Sequence, residues 1–237
     1  MERSFTFIVP ALDEESNIAA TVQEIESVAG NRFSEYEIVL IDDGSSDRTP
    51  SIMDRLAVTD PRLVVVHHPR NLGLGAAYRR GVQLARFDHL MLVPGDNQFP
   101  GTSMALLLDQ LGRADIVLQY TVNPQIRPLG RRLLSAGFTA LVNTLFGLSL
   151  RYYNGTVVHR TGLVKTVRMT TDGFAYQAEI LVRLIARGAS YVEVGVPITE
   201  RSAGRSAALG ARNVTRVLET LARLFLEVRL GFRSSGP

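Results

Sequence analysis

The first hundred residues alternate between short, nearly unbroken apolar runs and longer stretches with helical spacing. Phe5-Thr6-Phe7-Ile8-Val9, Tyr36-Glu37-Ile38-Val39-Leu40-Ile41, Leu63-Val64-Val65-Val66-His67 and Leu90-Met91-Leu92-Val93 have the length and β-branched content of strands. Residues 14–29 place Ile18, Val22, Ile25, Val28 and Ala29 at helical intervals, with acids near the start, where a helix dipole favours them. Helices are also predicted over 48–57 and 74–86. Strands apolar on both faces and alternating with helices predict an α/β fold, a doubly wound, Rossmann-like, mostly parallel sheet. Ligands bind beyond the carboxyl ends of such strands, and three polar clusters fall there: residues 10–14, 42–47 and 94–100.

The second half is less regular. Ile116–Leu118 reads as a strand, 129–147 as a helix, 174–187 as another and 190–194 as a strand. The uncharged stretch from Leu133 to Leu150 carries Ser135, Thr139, Asn143, Thr144 and two glycines, too polar for a bilayer span, which needs about 20 mostly apolar residues. A loop at 197–210 precedes an amphipathic helix at 211–230. The predicted organisation is a main domain over 1–210 and a C-terminal helix and tail over 211–237, with no internal repeat.

Composition narrows the class. Among 237 residues, 46% are apolar and 21% charged, which excludes a disordered or fibrous chain. With no cysteine, disulfides, thiolate metal sites and a cysteine nucleophile are excluded. The start, Met1-Glu2-Arg3-Ser4-Phe5, lacks the basic-then-apolar order of a signal peptide, which predicts a cytoplasmic protein. Net charge is +3, but residues 1–119 hold 17 acidic and 10 basic side chains (net −7), and residues 120–237 hold 6 and 16 (net +10). Such a division suits a metal or sugar site facing an anionic partner or membrane.

The polar clusters carry the candidate chemistry. Asp42-Asp43-Gly44-Ser45-Ser46-Asp47 puts successive carboxylates where a strand ends, able to accept a nucleobase N–H or a ribose hydroxyl. A turn with Ser46 or Asp47 capping the next helix explains part of the motif, but not two adjacent aspartates. In Pro94-Gly95-Asp96-Asn97-Gln98-Phe99-Pro100, an extended backbone would aim the Asp96 and Gln98 oxygens at one hard divalent cation bridging to a diphosphate. His67 and His68, neighbours in a strand, point to opposite faces and are read as structural. Asn71-Leu72-Gly73-Leu74-Gly75 is read as a loop opening a helix, being wrongly spaced for a dinucleotide fingerprint.

With Asp42–Thr49, Asn71-x-Gly73 and the Asp96 cluster in that order, the chain resembles family 2 glycosyltransferases of the GT-A fold. The block Gly173-Phe174-Ala175-Tyr176-Gln177-Ala178-Glu179 and the loop Val196-Pro197-Ile198…Arg201-x-x-Gly204-x-Ser206 make it similar to the dolichol- or polyprenol-phosphate mannosyltransferases. The resemblance runs from about Phe5 to Ser206. It implies an inverting transfer from a nucleotide-diphosphate sugar to a polyprenyl phosphate at the cytoplasmic membrane face, with Mg2+ or Mn2+ as cofactor. The implied partners are donor, lipid acceptor and membrane surface, with no nucleic acid. Pro10, Leu12, Glu14, Ile41, Asp43, Gly95 and Asp96 then line the nucleotide-sugar site. Asp96 and Gln98 hold the metal, and Arg131 and Ser135 hold the acceptor phosphate. Arg201 contacts the donor diphosphate, and Glu179 is a candidate base if the acceptor is a hydroxyl. Apart from the resemblance, Arg205, two residues before Ala207 in the same loop, is read as covering the diphosphate, the alternative being a solvated side chain.

The chain departs from the family pattern in several places. Leu12 and Asp13 stand where the family has Tyr and Asn, and Pro94 replaces the first Asp of an Asp-x-Asp motif. Thr121 stands near the place of an Arg, Ala207 replaces a Lys, and Arg151–Thr156 diverges from the family's Asp-x-x-Ser/Thr-Gly-Phe-Arg. Alternatives are a glycolipid or natural-product hydroxyl as acceptor, or a non-catalytic nucleotide-sugar binder. The final helix aligns Val214, Val217, Leu218, Leu221, Leu224, Phe225 and Val228 along one stripe, flanked by arginines. A core-packing helix would look similar, but the basic second half and a lipid acceptor met at the bilayer favour a helix lying peripherally on an anionic membrane.

Overall fold

The computed structural model describes residues 4–173, 175–197 and 211–229, with side chains of the last helix described from Thr215 onward. The elements run β1 (Ser4–Ala11), α1 (Ile18–Ala29), β2 (Glu35–Asp42), α2 (Thr49–Thr59), β3 (Leu63–His67), α3 (Leu74–Leu84), β4 (His89–Leu92) and α4 (Gly101–Leu108). They continue with β5 (Ile116–Thr121), α5 (Leu129–Phe146), β6 (Val157–Arg160), α6 (Thr161–Lys165), α7 (Tyr176–Ala186), β7 (Tyr191–Val196) and α8 (Ala211–Arg229).

The seven strands form one sheet in the order β3-β2-β1-β4-β6-β5-β7. Only β6 runs antiparallel to its neighbours. The chain winds outward from β1 to β2 and β3, then returns to place β4 on the other side of β1. The crevice beyond the carboxyl ends of β1 and β4 is therefore a topological switch point, where open α/β sheets bind ligands. Both faces of the sheet are covered, which is why its strands read as continuous apolar runs. Phe5, Phe7, Val9, Ile38 and Leu40 face one core with α1, α2 and α4. Ile8, Val39, Ile41, Ile116 and Leu118 face the other, built with residues of α3, α5, α6, α7 and α8.

Three differences from the sequence pattern have physical causes. Helix α1 begins at Ile18 rather than at residue 14: residues 14–17 form a separate turn in which the Asn17 and Ile18 amides donate to Glu14 O, while the Glu14 and Glu15 amides donate to Thr49 Oγ1 and Asp47 Oδ2. Strand β6 and helices α4 and α6 are too short, at 4, 8 and 5 residues, to show a period. The apolar stripe of α8 faces the protein: Leu221 and Leu224 are 2% and 1% exposed, and Val217, Phe225 and Val228 pack against the same core. The side chain of Val214 lies outside the described residues. The expectation that this stripe lies on a membrane is therefore corrected, since it packs against the core, and the exposed large apolar side chains described on α8 are Leu218 and Leu226.

Candidate active site

The two loops beside the switch point are laced together by side chains that the sequence motifs supply. The Asp13 carboxylate accepts from the Ser46 amide at 2.7 Å and its hydroxyl at 3.1 Å, while the Asp13 amide donates to Ser45 Oγ at 3.0 Å. The Glu14 amide donates to Thr49 Oγ1, and the Glu15 amide to Asp47 Oδ2. Asp47 also accepts from the Thr49 amide at 2.8 Å, so it and not Ser46 supplies the cap-like bond at the start of α2. Glu14 Oε2 accepts from Asn17 Nδ2 at 2.7 Å. These bonds fix the rim on which Pro10, Leu12 and Glu14 sit. Leu12 is exposed on that rim. Ile41, expected at the same site, is wholly buried among the core residues beneath this rim.

The paired aspartates are sorted by the strand alternation of their partners. Asp42 lies opposite His67 in the β2–β3 register. Asp42 Oδ1 accepts from the Ser45 amide, and Oδ2 lies 3.0 Å from His67 Nδ1, whose Nε2 lies 3.1 Å from Asp54 Oδ1. One residue on, Asp43 Oδ1 accepts from the Leu72 amide at 2.9 Å and lies 2.8 Å from His68 Nδ1. Its Oδ2 accepts from the Gly73 amide at 2.9 Å. An ionised carboxylate has about four acceptor positions. Asp43 thus keeps one, on Oδ2, for a ligand N–H.

Opposite it, the Gly95 amide donates to Pro10 O at 3.0 Å, and a Cβ on Gly95 would stand 2.9 Å from Ala11 Cβ, so the 94–98 loop packs directly on β1. The extended backbone expected between Asp96 and Gln98 is not what forms. Asn97 takes φ +53, and Asp96 Oδ1 accepts from the Gln98 amide at 3.2 Å, making a tight turn that presents Asp96 half-exposed. Among the described residues no group of three His, Asp or Glu side chains is arranged to hold a metal ion. The donors this loop offers, the Asp96 carboxylate and the Gln98 amide oxygen, are hard oxygens that fit a divalent cation taking most of its ligands from a diphosphate.

Glu179 lies elsewhere. It is 1% exposed, and its carboxylate accepts from Thr170 Oγ1 at 2.6 Å, from the Thr170 and Thr171 amides at 3.1 and 3.0 Å, and from Arg183 Nη2 at 3.1 Å. Burial alone would raise its pKa, but the hydrogen bonds from Thr170 and Thr171 and the Arg183 charge outweigh that and hold it below the usual carboxylate value. A carboxylate so occupied is a poor proton acceptor. Arg131 and Ser135 lie one turn apart near the start of α5, both half-exposed. Arg201 and Arg205, with Phe174, Gly204, Ser206 and Ala207, lie outside the described residues.

A match to the Glycosyl transferase family 2 model covers residues 6–165, which includes both acidic loops and the whole switch point. The chain belongs to glycosyl transferase family 2. It is 28% identical to the polyprenol monophosphomannose synthase of Mycolicibacterium smegmatis, over 94% of this chain and 87% of that protein. It is 25% identical to the undecaprenyl-phosphate mannosyltransferase of Micrococcus luteus, over 84% of this chain and 85% of that one. The fold matches that of glucosyl-3-phosphoglycerate synthase from Mycobacterium tuberculosis, solved with UDP, with TM-score 0.73 over 99% of this chain and 82% of that one, at 19% identity. The same enzyme has been solved with Mg2+ and UDP (TM-score 0.70, 18% identity). The GT-A-like architecture and the glycosyltransferase class inferred from the sequence therefore stand.

The family 2 loops also carry a titratable clamp that the sequence does not announce. Both nitrogens of His67 face carboxylates, which accept only, so the imidazolium is the form that satisfies Asp42 and Asp54 together. Burial would lower the His67 pKa, but the bonds to Asp42 and Asp54 overcome this and raise it. A raised pKa means that the clamp stabilises fully below the ordinary histidine value of about 6.5 and fades as pH rises through the higher folded value. The thermal midpoint of the wild-type chain, measured against His67→Gln from about pH 6 to 8.5, is expected to lose its advantage towards the alkaline end. Parallel curves for the two proteins would remove the clamp.

Proposed function

We propose that this family 2 glycosyltransferase moves a sugar from a nucleotide-diphosphate donor to a polyprenyl phosphate, with inversion, at the cytoplasmic face of a membrane. The observation that carries the reading is the state of the carboxylates. Asp42, Asp47 and Glu179 are each engaged by protein donors, and Asp43 keeps a single acceptor position suited to a nucleobase N–H. A phosphate acceptor is anionic at neutral pH and needs no protein base, which agrees with that arrangement. The polyprenyl-phosphate sugar transferases among the relatives, matched over most of their length, support the same acceptor.

In this reading the nucleoside lies over the ends of β1 and β2, with its base N–H on Asp43 Oδ2 and its ribose along the Pro10–Glu14 rim. The diphosphate reaches the Asp96 turn. A bound Mg2+ or Mn2+, held by Asp96 and Gln98, would neutralise charge on the leaving diphosphate. Arg131 and Ser135 orient the acceptor phosphate at the start of α5, where the helix dipole favours an anion. A phosphate oxygen forms the new bond to the anomeric carbon from the face opposite the diphosphate. The old carbon–oxygen bond breaks, and the nucleoside diphosphate leaves with the electron pair. Arg201 and Arg205 complete the diphosphate contacts.

The deciding experiment offers purified protein a panel of nucleotide sugars with Mg2+ or Mn2+ and either a polyprenyl phosphate or a hydroxyl acceptor, read by mass spectrometry. A glycosylated polyprenyl phosphate is the expected product. Transfer to hydroxyls alone, or donor binding without turnover, would sink the reading.

Among the described residues no helix is long and apolar enough to cross a membrane. The proposed membrane contact is on α5 and α8, where Leu133, Leu134 and Leu218 are 64%, 49% and 52% exposed and Arg132, Arg216 and Arg223 are exposed as well. Apolar insertion and attraction to anionic headgroups add at such a face. Leu133→Ser with Leu134→Ser is expected to reduce co-sedimentation with anionic vesicles several-fold, and high salt to weaken it further. Binding indifferent to both changes would place the contact elsewhere.

A further inference from the structure

We propose that Glu179 is a positioning residue for the donor: it holds the 170–172 strap against which the nucleobase loop is docked. The inference rests on reading the crevice as a nucleotide-sugar pocket. Its basis is one continuous line of contacts between a buried carboxylate on α7 and the Asp43 carboxylate at the site.

From the site end, Asp43 receives the amides of Leu72 and Gly73, so the position of its free Oδ2 lone pair depends on where that loop sits. The loop is seated by two glycines. Gly73 has φ +98, and a Cβ there would stand 2.6 Å from the Asp172 carbonyl oxygen. A Cβ on Gly75 would stand 2.2 Å from the Thr171 carbonyl oxygen, and the Gly75 amide donates to Asp172 O at 2.7 Å. Only a chain without side chains at both positions approaches the strap so closely. This explains the Gly-x-Gly spacing, which no phosphate is needed to justify.

From the other end, Glu179 holds the strap. Its two oxygens take the amides of Thr170 and Thr171 and the Thr170 hydroxyl. Arg183 neutralises it and reaches on to Glu227 of α8 at 2.6 Å. Arg79 pins the strap a second time, with Nη2 at 2.7 Å from Asp172 Oδ1 and Nη1 at 3.3 Å from Met169 O. Strap and loop therefore move as one body, and a charged acceptor is needed at residue 179, because an amide oxygen paired with an NH2 cannot take all three donors.

The test titrates UDP and GDP, with Mg2+, into the wild-type chain, Glu179→Gln, Arg79→Ala and the double variant by calorimetry. Phe33→Leu serves as control, since Phe33 packs on Phe5 at the opposite end of the sheet. Loss of bonds to a charged acceptor is expected to raise the nucleotide Kd of Glu179→Gln about ten-fold or more. Arg79→Ala should raise it less, and the double variant by less than the product, because both act on one contact. In turnover the loss should fall on donor KM rather than kcat. Phe33→Leu should lower the thermal midpoint with Kd unchanged.

An unchanged Kd in Glu179→Gln, or a loss confined to kcat as for a group at the reacting atoms, overturns the proposal while leaving the donor pocket intact. If Glu179→Gln does not fold, Arg79→Ala decides, its side chain being 35% exposed; an unchanged Kd there overturns the proposal equally. Wild-type protein that binds neither nucleotide overturns the pocket and this inference together.

Discussion

Asp96→Asn is expected to lower sugar transfer about a hundred- to a thousand-fold while the protein folds normally. A cation neutralising a leaving diphosphate is worth several kcal/mol, and each ~1.4 kcal/mol is a factor of ten in rate. Asp96 is the only carboxylate in its loop, because Pro94 stands two residues before it. The substitution removes that charge yet spares the turn, since an asparagine oxygen can still accept the Gln98 amide now bonded to Asp96 Oδ1 at 3.2 Å. Circular dichroism and the thermal midpoint should therefore match the wild type. Turnover at saturating Mg2+ or Mn2+, with a chelator as parallel control, reads the effect. A variant of near-normal rate, or wild-type activity indifferent to chelator, would assign Asp96 to the turn alone.

The parts of the fold that were legible share one property: they bury apolar residues at a regular period over enough length. Strands β1 to β5 and helices α3, α5 and α7 fall within a few residues of where spacing puts them. Strand β6, whose only apolar residues are Val157 and Val158, followed by a buried His159, offers no such stretch, although it joins the two parts of the sheet as its one antiparallel member.

The site was legible as a place more than as a set of roles. Polar clusters after apolar strands located the crevice beyond β1, β2 and β4. What each carboxylate does depends on partners brought in by topology: His67 and His68 come from β3 and its exit, and the Leu72 and Gly73 amides from the following loop. The histidine pair alternating in step with the aspartate pair was the available signal, and it acquires meaning only once β2 and β3 are known to be neighbours. Glu179 shows the same limit. Its sequence block marks it as functional, but only the fold reveals that its oxygens are filled by Thr170, Thr171 and Arg183.

Removal of α8 should cost the protein its fold, and this second large effect governs how any membrane experiment is read. Leu221 and Leu224 are buried against the core that includes Val142 and Phe146 of α5 and Leu181 and Leu184 of α7. Truncating one such leucine to alanine typically costs about 2–5 kcal/mol, against a total stability of about 5–15 kcal/mol for a domain. The helix also supplies Glu227, which meets Arg183 at 2.6 Å with both side chains largely buried. Without Glu227, Arg183 keeps Glu179 as its partner at 3.1 Å, so the larger part of the loss comes from the buried leucines. A chain ending at Gly210 is thus expected to aggregate or to unfold without a cooperative transition, so its failure to reach vesicles would say nothing about lipid. Leu224→Ala should fold with a clearly lowered urea midpoint. Leu218→Ser and Leu226→Ser, which alter exposed positions, should stay within about 0.5 kcal/mol of wild type. Vesicle binding compared among those three separates the two faces of the helix. Lipid binding lost in Leu224→Ala but kept in Leu218→Ser, or a stable, nucleotide-binding chain ending at Gly210, would mean that α8 is an appendage after all.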